Sequence, residues 1–470
     1  FAKSELIYRD LIKDKNINKE IIKSYCDNLI KFKKENEAIS FIKKFENKFS
    51  TDDVFQSILG LAYIKKKQFD VAKKFLLNSI NLNKNNNHAF TLLGDCYSAV
   101  GDLESAKTNY KKSLNIHPNN KIALNNLAAL SFFNGDFLEA EKIYELSLIN
   151  NQNNYDAMYY LAQCQLAQCN FTSGWKNFEY RWLANEFSSK KVRSKLPRFK
   201  INMEKKNLLL WSEQGIGDQI LFIRFIINLK PFINDLFINI DSRLHKIIER
   251  LYPKVKFLNK NDLNKNNNIN AQISLGDLGS LFVREYSDLI KNNNSYITSD
   301  FYLTKQLKNK VKTKKKYICG LSWISKNDDI GVNKSVSLEI LKPILEIKNI
   351  EFLDIQYNDT SCERDKFNKE NGIKISKIES IDNFNDLNGL TSLIDICDFV
   401  ITVSNTNAHI SGALGKKTFL LLPKGKGRLW YWSSKKKKSI WYPSIEVIEQ
   451  NVIGSWEIVI KELGEILKDI

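Results

Sequence analysis

The sequence predicts an N-terminal α-solenoid followed by a pair of Rossmann-like α/β domains, and three observations support this fold class. Small residues recur every 34 residues through the first third of the chain. After residue 206 short apolar runs alternate with helical segments, which is typical of α/β domains. A lysine-rich stretch at 305–316 interrupts this alternation, which then starts again, so the α/β region divides into two halves.

The composition sets the outer limits of this prediction. A chain of 470 residues is long enough for two or three domains, and 43% hydrophobic residues exclude wholesale disorder. The net charge of +18 favours acidic partners such as phosphates, but Lys, Asn and Ile are enriched along the whole length, so the charge alone decides nothing. The basic residues are diffuse and form no recognised binding module, so nucleic acid is not an expected partner.

The cysteine and histidine counts and the hydropathy pattern further restrict the class of protein. The seven cysteines are scattered without a CxxC pair, which predicts free thiols in a reducing, cytoplasmic compartment. Four histidines disfavour a His-rich metal site. No apolar run approaches the ~18 residues of a membrane span, so stable membrane insertion is not expected. The chain begins with Phe1 rather than Met, which suggests a truncated N-terminus and leaves open how many repeats precede it.

The repeat has two small-residue positions per 34 residues, which allow the two helices of a hairpin to pack closely. The first position is occupied by Gly60, Gly94, Ala128 and Ala162, and the second by Ala38, Ala72, Ala106, Ala140 and Gly174. The clearest copy is 88–118, with a turn at Gly101-Asp102. This pattern resembles the tetratricopeptide repeat, with about five copies over 21–185 in a domain that spans 1–185.

The array has two possible roles. Such stacks usually present a concave surface to a peptide or protein, so the repeats can be a scaffold alone. The last copy, FTSGWKNFEYRWL, is rich in aromatic residues. Its side chains Trp175, Tyr180 and Trp182 are expected to dock the repeats on the next domain.

The remainder of the chain divides at composition changes. Residues 186–206 form a basic segment that predicts a solvated linker. The first α/β half is predicted at 207–304, the second at 317–450, and a closing helix at 451–470. Strands are expected at 208–211, 236–240 and 270–275 in the first half, and at 317–323, 351–356, 398–403 and 418–423 in the second half.

The first motif that carries chemistry is WSEQGIGDQILFIRFI at 211–226. Gly215 and Gly217 lie at a strand-to-helix turn, where glycine allows the backbone to approach a ligand at the carboxyl edge of a sheet. The pattern is not GxGxxG, so a dinucleotide site is not expected. Asp218 follows in the first turn of the helix, and its alternative role is simply to cap the helix N–H groups.

The second motif is VITVSNTNAHISGALGKK at 400–417. It places Ser404, Asn405, Thr406 and Asn407 between a strand and a helix that contains His409. Free N–H groups at a helix start, beside short hydroxyl and amide side chains, form an anion site. The alternatives are plain N-capping by the hydroxyl residues and a structural histidine.

The third motif is GLSWISKNDDIGVNKSVSLEIL at 320–341. It places Trp323, Ser325 and Lys326 at a strand end and Lys334 just before a helix. A lysine that enters the same cleft as the 404–409 loop would neutralise a diphosphate. Either lysine can instead be an exposed loop charge. The chain has no DxD motif, so we expect helix dipoles and cationic side chains, rather than a metal, to bind the diphosphate.

These motifs, in this order, resemble the GT-B glycosyltransferases of the heptosyltransferase-like family. A closer likeness is to bacterial proteins that fuse tetratricopeptide repeats to such a domain, on the basis of FTSGWKNFEYRW, EQGIGDQI, SNTNAHISGALG and the late Trp441-Tyr442-Pro443. The layout is also similar to that of O-linked N-acetylglucosaminyltransferases. The resemblance covers nearly the whole chain, to about Gln450.

The resemblance implies transfer of a sugar from a nucleotide-activated donor, with inversion and with no further cofactor. It makes Asp218 the general base, and it makes Lys334 the group that stabilises charge on the leaving nucleotide. The other implied donor contacts are Ser404, Asn405, Thr406, Asn407, His409, Trp323 and Ser325, and the implied cleft-lining residues are Gln214, Trp430 and Trp432. Relatives usually have Asp-Thr where this chain has Ser404-Asn405, so the donor sugar does not carry over.

The resemblance also implies a class of acceptor. The repeats are expected to recruit a protein acceptor for glycosylation on Ser or Thr, and flagellin is one candidate. A non-catalytic repeat scaffold that keeps the α/β shape is the alternative from another class. A transferase that acts on a lipid-linked or polysaccharide acceptor is the third.

Overall fold

The computed structural model of the chain shows two compact units. The structure describes residues 19–45, 49–259, 268–291, 295–311, 313–327, 330–357 and 359–468. The first unit comprises Phe1–Phe132 and Glu139–Asn153, and the second comprises Phe133–Leu138 and Asn154–Ile470. Residues 1–18 of the predicted solenoid, and 469–470 of the closing helix, lie outside the described residues.

The first unit consists of successive helical hairpins, as the 34-residue spacing predicts. Its helices are α1 (Lys19–Lys31), α2 (Glu35–Lys43), α3 (Asp53–Lys65), α4 (Phe69–Leu82), α5 (Asn87–Ala99), α6 (Leu103–Ile116), α7 (Lys121–Asn134) and α8 (Phe137–Asn150), the last two of which also supply Phe133–Leu138 to the second unit. Buried side chains form several small clusters along the array rather than one core, which is the packing expected of a solenoid.

The small-residue positions do mark close helix contacts. A Cβ atom at Gly60 would lie 2.6 Å from the Leu76 side chain, and one at Gly94 would lie 2.5 Å from the Tyr110 ring. Gly101 has a φ of +85°, and the Asp102 carboxylate accepts a hydrogen bond from the Ser105 N–H at the start of α6. The turn predicted at Gly101-Asp102 is therefore confirmed.

A further helix pair, α9 (Tyr155–Ala167) and α10 (Phe171–Phe178), belongs to the second unit and not to the first. Trp175 Nε1 donates to the Val283 carbonyl at 2.9 Å, and the Trp182 ring lies 5.3 Å from the Trp211 ring. These two tryptophans therefore attach the last repeat-like hairpin to the α/β region, as the docking interpretation expects. Tyr180 differs, because it is exposed and stacks on Tyr155.

The first half of the α/β region is a four-stranded parallel sheet in the order β3-β2-β1-β4. Its strands are β1 (Lys206–Trp211), β2 (Ile233–Asn239), β3 (Lys256–Phe257) and β4 (Ala271–Ser274). Its helices are α11 (Ile216–Ile223), α12 (Ile226–Leu229), α13 (His245–Leu251), α14 (Leu278–Phe282) and α15 (Tyr286–Lys291). The next helix, α16 (Phe301–Lys310), packs on the second half instead. The sequence predicted all of these strands except β3.

The second half is an eight-stranded sheet in which six parallel strands are extended by an antiparallel hairpin. Its strands are β5 (Tyr317–Ser322), β6 (Ile350–Asp354), β7 (Ile375–Ser376), β8 (Phe399–Val403), β9 (Thr418–Leu422), β10 (Ser434–Lys435), β11 (Lys438–Ser439) and β12 (Ile445–Glu449). Its helices are α17 (Gly331–Lys334), α18 (Leu338–Leu345), α19 (Ser361–Asn371), α20 (Leu387–Asp395), α21 (Thr406–Ala413) and the closing α22 (Glu457–Lys468).

Each sheet reverses its strand order at its first strand. β1 lies between β2 and β4, and β5 lies between β6 and β8. In open parallel sheets, ligands bind beyond the carboxyl ends of the strands at such a switch point. The loops that follow β1, β5 and β8 are the three motifs that the sequence singles out.

The predicted linker is more closely packed than its charge indicates. Residues 184–205 contain no helix or strand, but Phe187 and Phe199 are buried. Phe199 N–H donates to the Gln272 carbonyl, so this segment lies against the edge of β4. The expectation of a fully solvated connection is therefore wrong, because its two phenylalanines supply apolar contacts that a charge count does not register.

Among the described helices, none has both the length and the apolar character that a membrane span requires.

Candidate functional site

A cavity of about 600 Å³ lies where the loops after β1, β5 and β8 meet within the second unit. Many of the residues singled out in the sequence line it. They are Gln214, Gly215, Gly217, Asp218, Ser325, Lys334, Ser404, Asn405, Thr406, His409 and Trp430. Lys326 lines it too, although its side chain is exposed.

Asp218 lies in the first turn of α11 and has two roles in the geometry. Its Oδ2 accepts a hydrogen bond from the Gly215 N–H at 3.2 Å, so it caps the helix as the alternative interpretation expects. It also faces the cavity, where it hydrogen-bonds to Tyr431. Burial raises the pKa of Asp218 to about 6, opposed by the Gly215 N–H and by Lys334. A carboxylate with this pKa can accept a proton near neutral pH.

Lys334 ends α17 and points its charge into the same cavity. Its exposed fraction is 5%, and no described carboxylate lies within ion-pair distance of its ammonium group. Burial lowers the pKa of Lys334 to about 8, and the charge of Asp218 opposes that shift. A buried cation of this kind is costly unless an anion joins it.

His409 lies on α21 and is packed on two sides of its ring. Its Nδ1 lies 2.9 Å from the Tyr442 hydroxyl. On the other side, a Cβ atom at Gly217 would come within 2.6 Å of His409 Cδ2, so only glycine allows this approach of α11 to α21. Burial lowers the pKa of His409 to about 3, and the ring is therefore neutral. His409 therefore has the structural role that the sequence analysis considered, and it also forms part of the cavity wall.

The start of α21 is less open than the sequence predicts. Asn405 Oδ1 accepts from the N–H groups of Asn407 and Ala408, at 3.0 and 3.4 Å. The Asn405 amide also donates to Ser322 Oγ at 2.8 Å. The expected set of free N–H groups is therefore partly occupied, because the asparagine itself is the cap. Ser404 and Thr406 do not cap this helix, and both line the cavity.

Three predicted site residues do not line the cavity. Trp323 lies in the core of the second half, where its Nε1 donates to Glu363 at 3.3 Å. Asn407 is buried and donates to the Ile355 carbonyl at 2.8 Å. Trp432 is buried and donates from Nε1 to Ser404 Oγ at 2.9 Å, so it orients a cavity residue without reaching the cavity itself. The two tryptophans point inward because the core buries their apolar surface, and the Asn407 amide N–H is directed to the Ile355 carbonyl, although its buried Oδ1 has no described partner.

Gln214 has a backbone conformation that is uncommon for its residue type. Its φ is +61°, in the left-handed region that favours glycine. Its N–H donates to Ser189 Oγ at 2.8 Å, and its side-chain amide lies 3.4 Å from the Tyr159 hydroxyl. Such strain persists where the surroundings over-determine it, and it is frequent at functional sites.

A buried ion cluster supports the loop that carries Gln214. Arg181 Nη2 lies 2.6 Å from Asp277 and 3.0 Å from Glu213. The same nitrogen donates to Ser274 Oγ, at the end of β4. The segment after α10 is thereby tied to the ends of β1 and β4, immediately before the glycine turn.

Several cavity residues were missed in the sequence. Tyr159 and Gln163 come from α9, and Tyr431 lies between two tryptophans that the sequence did single out. The remaining ones are Glu186, Ser188, Ser189, Ile216, Asn327, Ile330, Tyr357 and Leu429. A signal existed for Tyr431, since WYW follows a glycine-rich loop, but none existed for Tyr159 and Gln163, which belong to a repeat-like helix.

Metal ligands are not gathered at this site. Within the described residues, no cluster of three or more His, Cys, Asp or Glu side chains is arranged to hold a metal ion. The described cysteines are free thiols, and Cys362 is the exposed one among them.

Comparison with known proteins identifies the class of the first part of the chain. Residues 57–86 and 88–120 match the family model of the tetratricopeptide repeat. Together with the hairpins described above, this match shows that the chain contains tetratricopeptide repeats, which precede an α/β region. No curated protein matches the chain significantly.

Solved structures that resemble the chain do so over about a third of its length. TTC0263, a thermophilic TPR protein in Thermus thermophilus, is 13% identical, with 34% of this chain and 89% of that chain covered and a TM-score of 0.31. MamA is 15% identical, with 33% and 91% covered and a TM-score of 0.30. YrrB, described as a TPR protein with an unusual peptide-binding site, is 14% identical, with 37% and 89% covered and a TM-score of 0.29.

Proposed function

We propose that the protein is a glycosyltransferase with a GT-B pair of Rossmann-like domains, which moves a sugar from a nucleotide-activated donor to an acceptor hydroxyl. One observation carries this proposal. Asp218 and the buried Lys334 face the same cavity, at the carboxyl ends of parallel strands of the two sheets. The pair combines a carboxylate that can accept a proton with a cation that calls for an anionic ligand.

The chemistry follows from these two groups. The acceptor oxygen attacks the anomeric carbon, the bond from that carbon to the diphosphate oxygen breaks, and its electron pair leaves with the diphosphate. Asp218 takes the acceptor proton, and Lys334 stabilises the charge on the leaving group. Attack from the face opposite the leaving group inverts the anomeric carbon.

The second half of the cavity suits a diphosphate in other respects. Ser404 accepts from Trp432, which leaves its hydroxyl proton available to a ligand oxygen. Thr406 begins α21, whose N-terminal dipole favours an anion. His409 is neutral, so it lines the cavity without adding charge.

Two variants separate nucleotide binding from chemistry. A thermal-shift series with UDP, GDP, ADP and CMP should raise the melting temperature selectively for one nucleotide. Lys334→Met should abolish that shift, whereas Lys348→Met, at an exposed lysine, should preserve it. Asp218→Asn should keep the shift and lose about 10²-fold or more in transfer rate with the matching nucleotide sugar. The absence of any shift at millimolar nucleotide would refute the proposal.

A second function is supported by a separate observation. The tetratricopeptide match at 57–86 and 88–120 favours capture of a protein partner, whether as an acceptor or in a non-catalytic scaffold. Under the transferase proposal the captured protein carries the acceptor Ser or Thr. A chain that binds protein but no nucleotide, and that transfers no sugar, would favour the scaffold.

A further inference from the structure

A single loop of the second half contacts both of the groups on which the proposed chemistry depends. This loop, residues 424–432, follows β9 and is called the 424–432 loop below. Its Tyr431 hydrogen-bonds to Asp218. Its Gly427 lies against Lys334, because a Cβ atom at that glycine would be 3.0 Å from the lysine Cγ. The position of the loop therefore affects the surroundings of both the carboxylate and the cation.

The other end of this loop is held near the turn that joins α7 and α8. The Gly425 N–H donates to the Phe133 carbonyl at 3.0 Å. The Arg428 guanidinium donates two hydrogen bonds to the Glu449 carboxylate, at 2.8 and 3.1 Å. Its Cζ lies 5.7 Å from the centre of the Phe137 ring, at the start of α8. All of these contacts lie within the second unit, and they fix the loop against a turn of a helical hairpin.

Gly135 shows how closely the turn approaches the loop. Its φ is +89°, and a Cβ atom there would lie 2.9 Å from Arg428 Cζ. Gly101 occupies the equivalent turn one 34-residue period earlier, with a φ of +85°. No described atom lies within 4 Å of a Cβ atom built at Gly101. Both turns require a backbone conformation that favours glycine, but only Gly135 also leaves room for a side chain of the loop.

We propose that Arg428 is a positioning residue for the reaction, an inference that rests on the proposed function. Arg428 is held against the α7–α8 turn, and it keeps the 424–432 loop packed on Lys334. The same loop keeps Tyr431 hydrogen-bonded to Asp218. Arg428 does not line the cavity, so it acts through the loop and not on the ligand. A turn of a helical hairpin thereby limits how far water reaches the cation that binds the anion.

The test measures the pH midpoint of Lys334 acetylation on the full chain by mass spectrometry, without any nucleotide. Burial lowers the pKa of Lys334 to about 8, so a loosened loop that admits water should raise this pKa toward its usual value of 10.5. In Gly135→Ala the new Cβ displaces Arg428, and the midpoint should rise by about one pH unit or more. Gly101→Ala, with the same backbone strain and no such contact, is the matched control and should keep the wild-type midpoint.

A second variant guards against a merely misfolded turn. Arg428→Gln removes the guanidinium without straining the backbone, and it should raise the Lys334 midpoint as Gly135→Ala does. The double variant should be no worse than Arg428→Gln alone, because both changes act on one contact. None of these variants alters the other titratable groups that line the cavity, which are Tyr159, Glu186, Asp218, Lys326, Tyr357, His409 and Tyr431.

Nucleotide binding and transfer are measured on the same variants. Gly135→Ala and Arg428→Gln should shrink the nucleotide-induced thermal shift. They should also move the acid limb of the kcat/KM profile to higher pH, as Tyr431→Phe does, because the Asp218 carboxylate loses a hydrogen bond that favours its charged form.

The outcomes separate this inference from the proposed function. Wild-type Lys334 midpoints in both Gly135→Ala and Arg428→Gln would overturn the positioning role. A raised midpoint with an unchanged nucleotide shift and an unchanged acid limb would overturn it too, because Arg428 would then have a structural role only. A raised midpoint in a chain that binds no nucleotide would support the hold of Arg428 on Lys334 while refuting the transferase.

Discussion

The contact between Gly217 and His409 makes the most direct prediction about the site. In Gly217→Ala the new Cβ atom would lie 2.6 Å from His409 Cδ2 and 2.8 Å from Nε2, whereas non-bonded carbon atoms prefer about 3.5–4.0 Å. The ring cannot move aside easily. Its Nδ1 is hydrogen-bonded to the Tyr442 hydroxyl. The centre of the ring lies 5.1 Å from the centre of the Tyr431 ring and 4.7 Å from that of the Trp432 ring. Helices α11 and α21 must therefore separate by about 1 Å, the difference between these distances and ordinary contact.

The magnitude follows from two opposing effects. Overpacking of a well-packed contact costs about 1–3 kcal/mol. Alanine gains less than ~1 kcal/mol of helix propensity over glycine, and less still in the first turn. The net expectation is that Gly217→Ala destabilises the second unit by about 1–2 kcal/mol. Lys334 and Asp218 should also move apart, so the nucleotide-induced thermal shift should shrink.

The assay compares Gly217→Ala with Gly215→Ala by urea and thermal unfolding. At Gly215 the nearest atom to a new Cβ is Asp218 Oδ2 at 3.5 Å, and φ is −78°, so this neighbour tolerates alanine. In the double variant Gly217→Ala/His409→Ala the clash is absent, and the two effects should be non-additive. If Gly217→Ala unfolds at the same urea concentration as Gly215→Ala, the close-approach argument is wrong.

Three further predictions concern charge. The pH profile of kcat/KM should be bell-shaped with limbs near pH 6 and 8, because Asp218 must be deprotonated and Lys334 protonated; a flat profile between pH 5 and 9 would contradict both roles. Asp218→Asn should stabilise the fold at pH 7 by up to about 3 kcal/mol. The pKa of Asp218 is raised because the folded state disfavours its ionised form. The stability gained by Asp218→Asn should therefore appear as the pH rises from about 4 to 6, and it should be absent below pH 4. Urea unfolding midpoints of the variant and the wild type at pH 3.5 and 7 test this expectation. Arg181→Met leaves Glu213 and Asp277 buried without their cation and should cost about 3–5 kcal/mol in urea unfolding, whereas Arg198→Met, at an exposed partner of Asp277, should cost less than ~1 kcal/mol.

The repeats could be predicted well from the sequence because their information is local. Two small residues per 34 identify the places where helices of one hairpin touch, and Gly60 and Gly94 indeed lie against Leu76 and Tyr110. The parallel sheets followed from the same kind of reasoning, since a buried strand is a short apolar run bounded by turns. The strands β3 and β7, with only two residues each, had no such run and were not predicted, and β12 was not predicted either.

The meeting of the three loops was partly within reach of the sequence. The carboxyl ends of neighbouring parallel strands share one edge, so the residues after β5 and β8 had to gather there. β1 belongs to the other sheet, and only the tertiary structure decided that the loop after it meets these two. The direction in which each side chain points could not be predicted from the sequence. Trp323 and Trp432 turn into the core because their large apolar surface is buried there, and Asn405, not a hydroxyl residue, is the cap of α21.

The sequence by itself determined the order of repeats and strands and the chemistry of the loops, because periodicity and turn residues act over a few neighbours. Tertiary structure alone decided that α9, although repeat-like in sequence, forms a wall of the cavity with Tyr159 and Gln163. It alone decided the burial that moves the pKa of Asp218 and Lys334 toward each other. Desolvation depends on every atom that surrounds a charge, and those atoms come from parts of the chain more than a hundred residues apart.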